Sequence, residues 1–334
     1  MLLPDMGEES QRRLGAARVL IVGVGALGCA AADQLGRAGV GTITLLDRDL
    51  VDWTNLQRQT LFTEEDAKLA MPKAEAARAR LGAINSQIEV RALVRDLTST
   101  NAEATLAEAR PDALIDGTDN FETRYLLNDL SVKHGIPFVY GGAVATRGMA
   151  ATFIPGEGPC LRCVFEEAPP PGSMPTCDTA GVLAAVIQTV ASCQVVDAIK
   201  LLIGRRDLVS KTLLDADVWT HVWRRLDISK SKRADCPCCG KRRFEYLEGA
   251  GGESASLCGQ NAVQVAPARA GEVDLAALAK RWQGHGQVSS TRFFARCVLS
   301  DGMELTVFGD GRGIVRGTNE PSVARSLYAR LVGA

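Results

Sequence analysis

Short apolar runs alternate with longer amphipathic segments through the first 140 residues of the chain. A run of four to eight apolar residues bounded by turn residues is typical of a buried strand, and the segments between these runs have the spacing of helices. The predicted strands are residues 17–22, 42–46, 87–94, 113–116 and 137–140, and the predicted helices are residues 73–81, 102–109 and 121–134. Strands that alternate with helices imply an α/β fold with a doubly wound, mostly parallel sheet.

The pattern changes near residue 249, where a glycine-rich stretch is typical of a linker. We therefore predict a first domain at residues 1–248, a linker at 249–256 and a small α+β domain at 257–334. The predicted elements of the small domain are a helix at 273–282, strands at 292–299, 304–308 and 313–316, and a final helix at 321–331.

The composition is that of a soluble globular protein, with 46% apolar and 23% charged residues among 334. A net charge of −1 predicts no general attraction to nucleic acid or to an anionic membrane. The apolar tract 181–203 carries Gln188, Gln194, Asp197 and Lys200, which favours a buried core helix over a membrane span. Ten cysteines without an export signal indicate metal or redox chemistry and a cytoplasmic protein.

The first predicted strand runs into Gly23, Gly25 and Gly28. Glycines at this spacing permit a tight turn, close approach of the backbone to phosphate and close packing of helix on strand. Asp47 follows about 20 residues later, where a carboxylate would meet a ribose hydroxyl. The alternative is a glycine-rich turn of an ordinary α/β domain, but the strand, helix and acid together predict a bound nucleotide.

Three charged residues favour ATP over a nicotinamide dinucleotide. A triphosphate carries more charge than the pyrophosphate of a dinucleotide, and Arg58 and Lys73 supply cations after the candidate ribose acid. Asp119 comes directly after a predicted strand, where its carboxylate could hold Mg²⁺. Each residue alone is better explained by a surface or structural role, and only the combination with the glycine turn and Asp47 points to ATP.

Two Cys-x-x-Cys pairs lie 76 residues apart, Cys160 with Cys163 and Cys236 with Cys239. Four thiolates suit tetrahedral coordination of Zn²⁺ and leave no open position, so the predicted zinc is structural. A redox dithiol is the alternative reading of either pair. Cys238 is an additional candidate, since it could replace Cys239 as the fourth ligand.

Several of these motifs together resemble the ThiF/MoeB family, which adenylates the C-terminal glycine of small ubiquitin-like sulfur carriers and is related to the ubiquitin-activating enzymes. They are Gly23-Val-Gly-Ala-Leu-Gly28, residues 49–59 with Asn-Leu-Gln-Arg-Gln, Lys73-Ala-Glu75 and Asp116-Gly-Thr-Asp-Asn-Phe121. The resemblance implies a Rossmann-like fold of the activating-enzyme type that acts as a homodimer. It also implies a role for each candidate residue. Asp47 binds the ribose and Asp119 binds Mg²⁺. Asn55, Arg58 and Lys73 bind the phosphates, with assistance from Gln59, and Asn120 belongs to the same nucleotide site. Its Cys-Pro-x-Cys-Gly pattern selects Cys239 over Cys238 as the zinc ligand.

A proline-rich stretch at residues 164–181 predicts a mobile loop that carries Cys177 next to a helix N-terminus. The dipole of that helix would favour a thiolate, and the Cys-x-Thr-Ala-Gly pattern resembles the family position that takes part in sulfur transfer. Cys177 is therefore the candidate nucleophile, although an ordinary loop cysteine is the plainer interpretation. A cysteine desulfurase or a rhodanese is the expected sulfur donor.

Two features concern the choice among family members. The opening of the small domain resembles an extension seen on some ThiF proteins, which favours a ThiS-like carrier with a C-terminal Gly-Gly over a MoaD-like carrier of molybdopterin synthesis. The family usually begins with an Arg-Tyr-Ser-Arg-Gln-like segment, whereas this sequence starts at Met1-Leu-Leu-Pro4. Either the start is truncated, or Arg12 or Arg13 compensates, or adenylation is weakened.

Two other classes of function compete with carrier activation. An NAD-dependent oxidoreductase would use the glycine turn but would have no use for Arg58, Lys73 or the Cys177 loop. A non-catalytic scaffold that binds a ubiquitin-like partner would explain a missing N-terminal arginine, but not the presence of Arg58, Lys73 and Asp119.

Overall fold

The computed structural model describes residues 3, 5–167, 180–250, 256–257, 261–265 and 273–333. The chain forms two compact units, Met1–Ala250 and Gly251–Ala334. The helices of the described residues are α1 Glu8–Ala16, α2 Ala26–Ala38, α3 Glu64–Lys68, α4 Lys73–Ile84, α5 Ala102–Ala109, α6 Phe121–His134, α7 Leu161–Val164, α8 Ala184–Leu202, α9 Leu275–Arg281 and α10 Pro321–Val332. The strands are β1 Arg18–Val22, β2 Thr42–Leu46, β3 Glu89–Leu93, β4 Ala113–Asp116, β5 Phe138–Val144, β6 Arg147–Phe153, β7 Thr212–Asp217, β8 Val222–Asp227, β9 Ser256–Leu257, β10 Ala262–Val265, β11 Gly286–Ser290, β12 Phe294–Leu299, β13 Glu304–Phe308 and β14 Gly313–Arg316.

The first unit is built on one eight-stranded sheet of order β3-β2-β1-β4-β5-β6-β7-β8. Strands β1 to β5 are parallel, which confirms the doubly wound α/β fold. Strands β6, β7 and β8 continue the sheet in antiparallel pairing and were not predicted. Every residue of β8 is exposed, so this strand lacks the apolar alternation by which a half-buried strand is recognised.

The sheet separates two hydrophobic cores. Val19 and Ile21 of β1 join the core that contains α2, α4 and α8, whereas Leu20 and Val22 join the core under α5 and α6. Side chains alternate between the two faces of a strand, so a strand with a core on both sides must be apolar at every position. This is the physical basis of the continuous apolar runs in the sequence.

The long apolar helix α8 packs against α2 and against strands β4, β5 and β6. By length and composition alone it could cross a membrane, but half of that apolar window is buried inside the protein. The buried amide of Gln194 donates hydrogen bonds from Nε2 to the carbonyls of Asp116 (2.8 Å) and Val139 (3.2 Å). The helix therefore supports the strands that end at the candidate site.

The second unit contains a six-stranded antiparallel sheet of order β11-β12-β13-β14-β10-β9. Helices α9 and α10 share one core with the sheet, in which Trp282 is among the most buried side chains. The structure confirms an α+β unit with both predicted helices and the strands at β12, β13 and β14, and adds β9, β10 and β11. Much of the predicted linker, residues 251–255, lies outside the described residues.

Candidate active site

The glycine turn lies where the strand order of the parallel sheet reverses, between β1 and β4. Gly23 follows β1 with a positive φ of 84°, and a Cβ there would lie 2.6 Å from the carbonyl oxygen of Gly117. A Cβ on Gly28 would lie 1.9 Å from the carbonyl oxygen of Gly23. By contrast, a Cβ on Gly25, at the N-terminus of α2, would meet nothing closer than 4.0 Å. Gly23, Gly28 and Gly117 thus pack the turn, while Gly25 presents an open backbone surface at a helix N-terminus, as an anion site requires.

Asp47, the candidate ribose acid, connects β2 to this turn. Its Oδ2 accepts a hydrogen bond from the backbone N–H of Val24 (2.6 Å), and its Oδ1 accepts one from the N–H of Asp49 (2.7 Å). Burial raises the pKa of Asp47 to about 6, against the opposing effect of Lys73. Each carboxylate oxygen retains a second lone pair, so the residue can hold the turn and still accept a hydroxyl donor.

Lys73, the first residue of α4, brings its ammonium group to the same place. Its Nζ lies 3.0 Å from Oδ2 of Asp49, and the lysine side chain is 7% exposed. Burial opposes its charge, but Asp49 and Asp47, with a smaller contribution from Asp119, raise the pKa of Lys73 above its ordinary value. The site therefore holds a permanently charged lysine among three carboxylates.

The loop after β4 carries the candidate magnesium ligand. Asp119 is exposed at the end of this loop, and the oxygen of Asn120 accepts a hydrogen bond from Thr123 N–H (2.9 Å) as the N-cap of α6. Beneath the loop, Arg124 donates to Asp116 Oδ2 (3.0 Å) and to the carbonyls of Thr118 (2.6 Å) and Gly141 (3.2 Å). The buried guanidinium thus fixes the loop that presents Asp119.

The segment after β2 contributes three more predicted residues from a short 3₁₀ helix, Trp53–Asn55, and the turn that follows it. Asn55 is buried, and its Oδ1 accepts a hydrogen bond from the backbone N–H of Asp52 (3.1 Å). The side-chain oxygen therefore stabilises the turn, and the side-chain NH₂ group is the part that could donate to a phosphate. Arg58 is buried and donates to the carbonyl of Thr54 (2.9 Å). Gln59 is 4% exposed, and its Nε2 lies 4.0 Å from the position of a Cβ on Gly25. This amide is aimed at the glycine turn.

The predicted metal ligands form one compact cluster. The sulfur atoms of Cys160, Cys163, Cys236 and Cys239 all lie within 4.8 Å of one another, with individual separations of 4.0, 3.6 and 3.4 Å. A tetrahedron with Zn–S bonds of about 2.3 Å has S···S edges of about 3.8 Å, so the donor set fits zinc. Cys238 lies outside this set of four.

Two predictions concern residues away from these clusters. Cys177 and most of the loop at 164–181 lie outside the described residues. Arg12 pairs with Glu9, and Arg13 pairs with Glu9 and donates to the carbonyl of Ile203 (3.1 Å) near the end of α8. In the described residues Arg13 therefore supports the packing of α1 against α8.

Sequence reasoning assigned no role to Asp49, Gly117, Arg124 or Gln194. Asp49 and Gly117 lie inside motifs that the sequence analysis had already identified. Their positions beside Lys73 and beside the glycine turn could therefore have been predicted. Arg124 could have been noticed as a charge inside an otherwise buried helix. Gln194 was noted only as a polar residue of the apolar tract, because its partners lie 55 and 78 residues away in the chain and no local pattern specifies them.

The sheet order, the glycine turn at its reversal point and the acid after β2 define a nucleotide-binding α/β protein of the Rossmann type. A family model described as the ThiF family matches residues 1–238, and the chain belongs to this family.

Individual relatives agree with that assignment. The sulfur carrier protein ThiS adenylyltransferase of Bacillus subtilis is 41% identical over 99% of this chain and 97% of its own length. The adenylyltransferase and sulfurtransferase MOCS3 of Drosophila ananassae is also 41% identical, over 72% of this chain and 52% of its own length. Among solved structures, E. coli MccB with MccA-N7isoASN matches with a TM-score of 0.60 and 23% identity, over 70% of this chain and 69% of that one. This last similarity concerns the fold.

Proposed function

We propose that the chain is an ATP-dependent adenylyltransferase that activates the C-terminal glycine of a ubiquitin-like sulfur carrier of the ThiS type. The observation that carries the proposal is the crevice at the sheet reversal, where an open glycine turn faces a buried, charged lysine and three carboxylates. The chain's membership of the ThiF family supports the same chemistry.

The carrier identity rests on the span of the similarity. Relatives named for ThiS and MOCS3 are equally identical to this chain, but the former extends over 99% of it and the latter over 72%. The added span includes the second unit, residues 251–334. A MoaD-like carrier is the second candidate, because the family resemblance includes enzymes that act on carriers of both kinds.

In the proposed reaction the carboxylate of the carrier attacks the α-phosphorus of ATP, a new C–O–P linkage forms, and pyrophosphate leaves with the electrons of the broken P–O bond. A carboxylate is already ionised at neutral pH, so the enzyme needs no strong base. Its task is to align two anions and to neutralise the charge of the departing pyrophosphate. Lys73 and Arg58 supply positive charge, and the N-terminus of α2 at Gly25 binds phosphate.

The other nucleotide contacts in this proposal are those that the family resemblance implies. Asp47 holds the ribose, and the amides of Asn55, Gln59 and Asn120 bind phosphate. Asp119 provides a carboxylate for Mg²⁺, which would neutralise phosphate charge. The family resemblance implies these roles, and the position of Asp119 within electrostatic reach of Lys73 supports the last of them.

Cys177 acts after adenylation in this proposal. The outer sulfur of a persulfide displaces AMP from the acyl adenylate, so that a C–S bond forms as the C–O bond to AMP breaks, and a second thiol then breaks the S–S bond of this acyl disulfide, releases the thiocarboxylate and is left in a disulfide itself. Cys177 is the acceptor or the link to the acyl group in this sequence. Zinc on the four-thiol cluster is structural, because four thiolates leave no open position. None of the eight cysteines in the described residues forms a disulfide with another of them, which supports a cytoplasmic location. A homodimer, and a cysteine desulfurase or rhodanese as sulfur donor, rest on the family alone.

The test is ATP–pyrophosphate exchange with purified carriers. Exchange should require a ThiS-type carrier ending in Gly-Gly and should be lost with the same carrier shortened by its last glycine. A MoaD-type carrier run in parallel decides between the two carrier classes. Cys177→Ala should leave exchange intact and block thiocarboxylate formation. Absence of exchange with every carrier would refute adenylation and favour a binding scaffold, and binding of nicotinamide dinucleotide in its place would favour a dehydrogenase.

A further inference from the structure

The second cysteine pair presents two consecutive thiols, Cys238 and Cys239, of which one belongs to the compact cluster. The metal chemistry does not distinguish them, because both are thiols at the same knuckle of the chain. The neighbouring side chains make the distinction, and they come from α6.

Asn128 of α6 contacts both cysteine pairs with one amide group. Its Oδ1 accepts a hydrogen bond from the backbone N–H of Leu161, inside the first pair (2.8 Å). Its Nδ2 donates to the sulfur of Cys238, inside the second pair (3.2 Å). Asn128 is 1% exposed and Cys238 is 0% exposed, so water does not compete for these bonds.

The next residue of α6, Asp129, faces the same region. Its Oδ2 accepts from the backbone N–H of Tyr246 (2.9 Å), and its Oδ1 has no partner of good geometry among the described residues. Cys238 is the thiol with which this buried carboxylate interacts. The sulfur of Cys238 therefore contacts an amide donor and a carboxylate that are both fixed on α6, and it also lies within interaction distance of the Cys160 thiol.

We propose that Asn128 is a positioning residue of the thiol cluster, which ties Cys238 to α6 so that Cys239 completes the four-thiolate set. The same amide holds the backbone of the first pair at Leu161, so one side chain sets the spacing of both pairs. This inference rests on metal binding by the cluster, which the zinc content of the wild-type protein tests separately.

The first experiment compares matched substitutions at the two adjacent thiols in the full chain. Metal affinity is measured by competition with a chromophoric chelator, and the coordination geometry by the thiolate-to-metal absorption of the Co²⁺-loaded protein. Cys238→Ser, which keeps an acceptor for the Asn128 amide, should bind one metal ion with the wild-type spectrum. Cys238→Ala removes the acceptor and should weaken binding, and Cys239→Ser should abolish the four-thiolate spectrum.

The second experiment uses Asn128→Ala, for which we expect a loss of about 10–100-fold in metal affinity, as for other residues that orient a ligand. Asn120→Ala is the matched control, since it weakens the same helix at its N-cap without touching a thiol. The double variant Asn128→Ala with Cys239→Ser should bind metal no more weakly than Cys239→Ser alone, because the released Cys238 can serve as ligand.

A purely structural role for Asn128 predicts a different result, namely additive losses in the double variant and a similar loss with Asn120→Ala. Either outcome would overturn the proposal, as would loss of metal by Cys238→Ser. Should Asn128→Ala fail to fold, the Cys238→Ser and Cys238→Ala pair decides alone, since equal affinities for these two would show that the tether has no effect.

Discussion

Replacement of Lys73 by methionine separates the structural and the chemical roles of the buried cation. The substitution removes the ammonium that lies 3.0 Å from Asp49 and leaves two carboxylates, Asp47 and Asp49, without their common counter-ion. Removal of one partner of a buried pair costs about 3–5 kcal/mol. The lower figure applies here, since 30% of the Asp49 side chain is exposed.

A loss of about 3 kcal/mol should lower the melting temperature by about 6–12 °C for a unit of this size. Loss of a positive charge that stabilises the transition state should also reduce carrier-dependent ATP–pyrophosphate exchange by about 10²–10³-fold. Differential scanning calorimetry and the exchange assay measure the two effects on the same sample.

The double variant Lys73→Met with Asp49→Asn is the control. Neutralising Asp49 removes the carboxylate that pairs with Lys73 directly and leaves only Asp47 without its counter-ion, so part of the stability should return while exchange stays low. Recovery of exchange together with stability would show that Lys73 acts through the fold alone. Exchange within threefold of wild type in Lys73→Met would refute a role of this cation in neutralising pyrophosphate.

Two further predictions concern buried charges near the crevice. The pKa of Asp47 is raised to about 6, so the folded state binds the proton of this carboxyl more tightly than the unfolded chain does. The resulting contribution to the free energy of unfolding is about 3 kcal/mol. It is fully present below about pH 4 and is lost as the pH rises through about 6. The free energy of unfolding measured with urea should show this fall with pH. Asp47→Asn should make the fall less steep without abolishing it, since the pKa of Asp129 is also raised to about 6. A pH dependence that is unchanged in Asp47→Asn would contradict the assignment. Arg124→Met should cost about 3–5 kcal/mol by leaving Asp116 unpaired, and Arg124→Lys should recover little of it, because an ammonium does not reproduce the fork that reaches three acceptors. Full thermal stability of Arg124→Lys would show that charge alone matters.

The parallel half of the sheet was predictable because its strands are buried on both faces and their apolar runs stand out between helices. The antiparallel strands β6 and β7 were missed although most of β6 is buried. Strand β8 was not predictable, because it is exposed throughout and is defined by its pairing with β7. The same reason applies to β11, whose residues are mostly exposed.

The candidate site divides in a similar way. Gly23, Gly28 and Asp47 were predicted from spacing, and the structure shows the contacts that require them. The pairing of Lys73 with Asp49 and the support of the Asp119 loop by Arg124 depend on atoms from different elements, which no local pattern specifies.

By itself the sequence determined the parallel core, the glycine turn, the acid after β2 and the two cysteine pairs, because each depends on local periodicity or on a short spacing. Only the tertiary structure decided which charges neutralise one another, that Gly117 packs into the turn and that the sulfur of Cys238 accepts the amide of Asn128. These choices are made by side chains that become neighbours only when α6, α8 and the ends of the strands pack together. Packing, and not chain order, sets the distances at which charge and hydrogen bonding act.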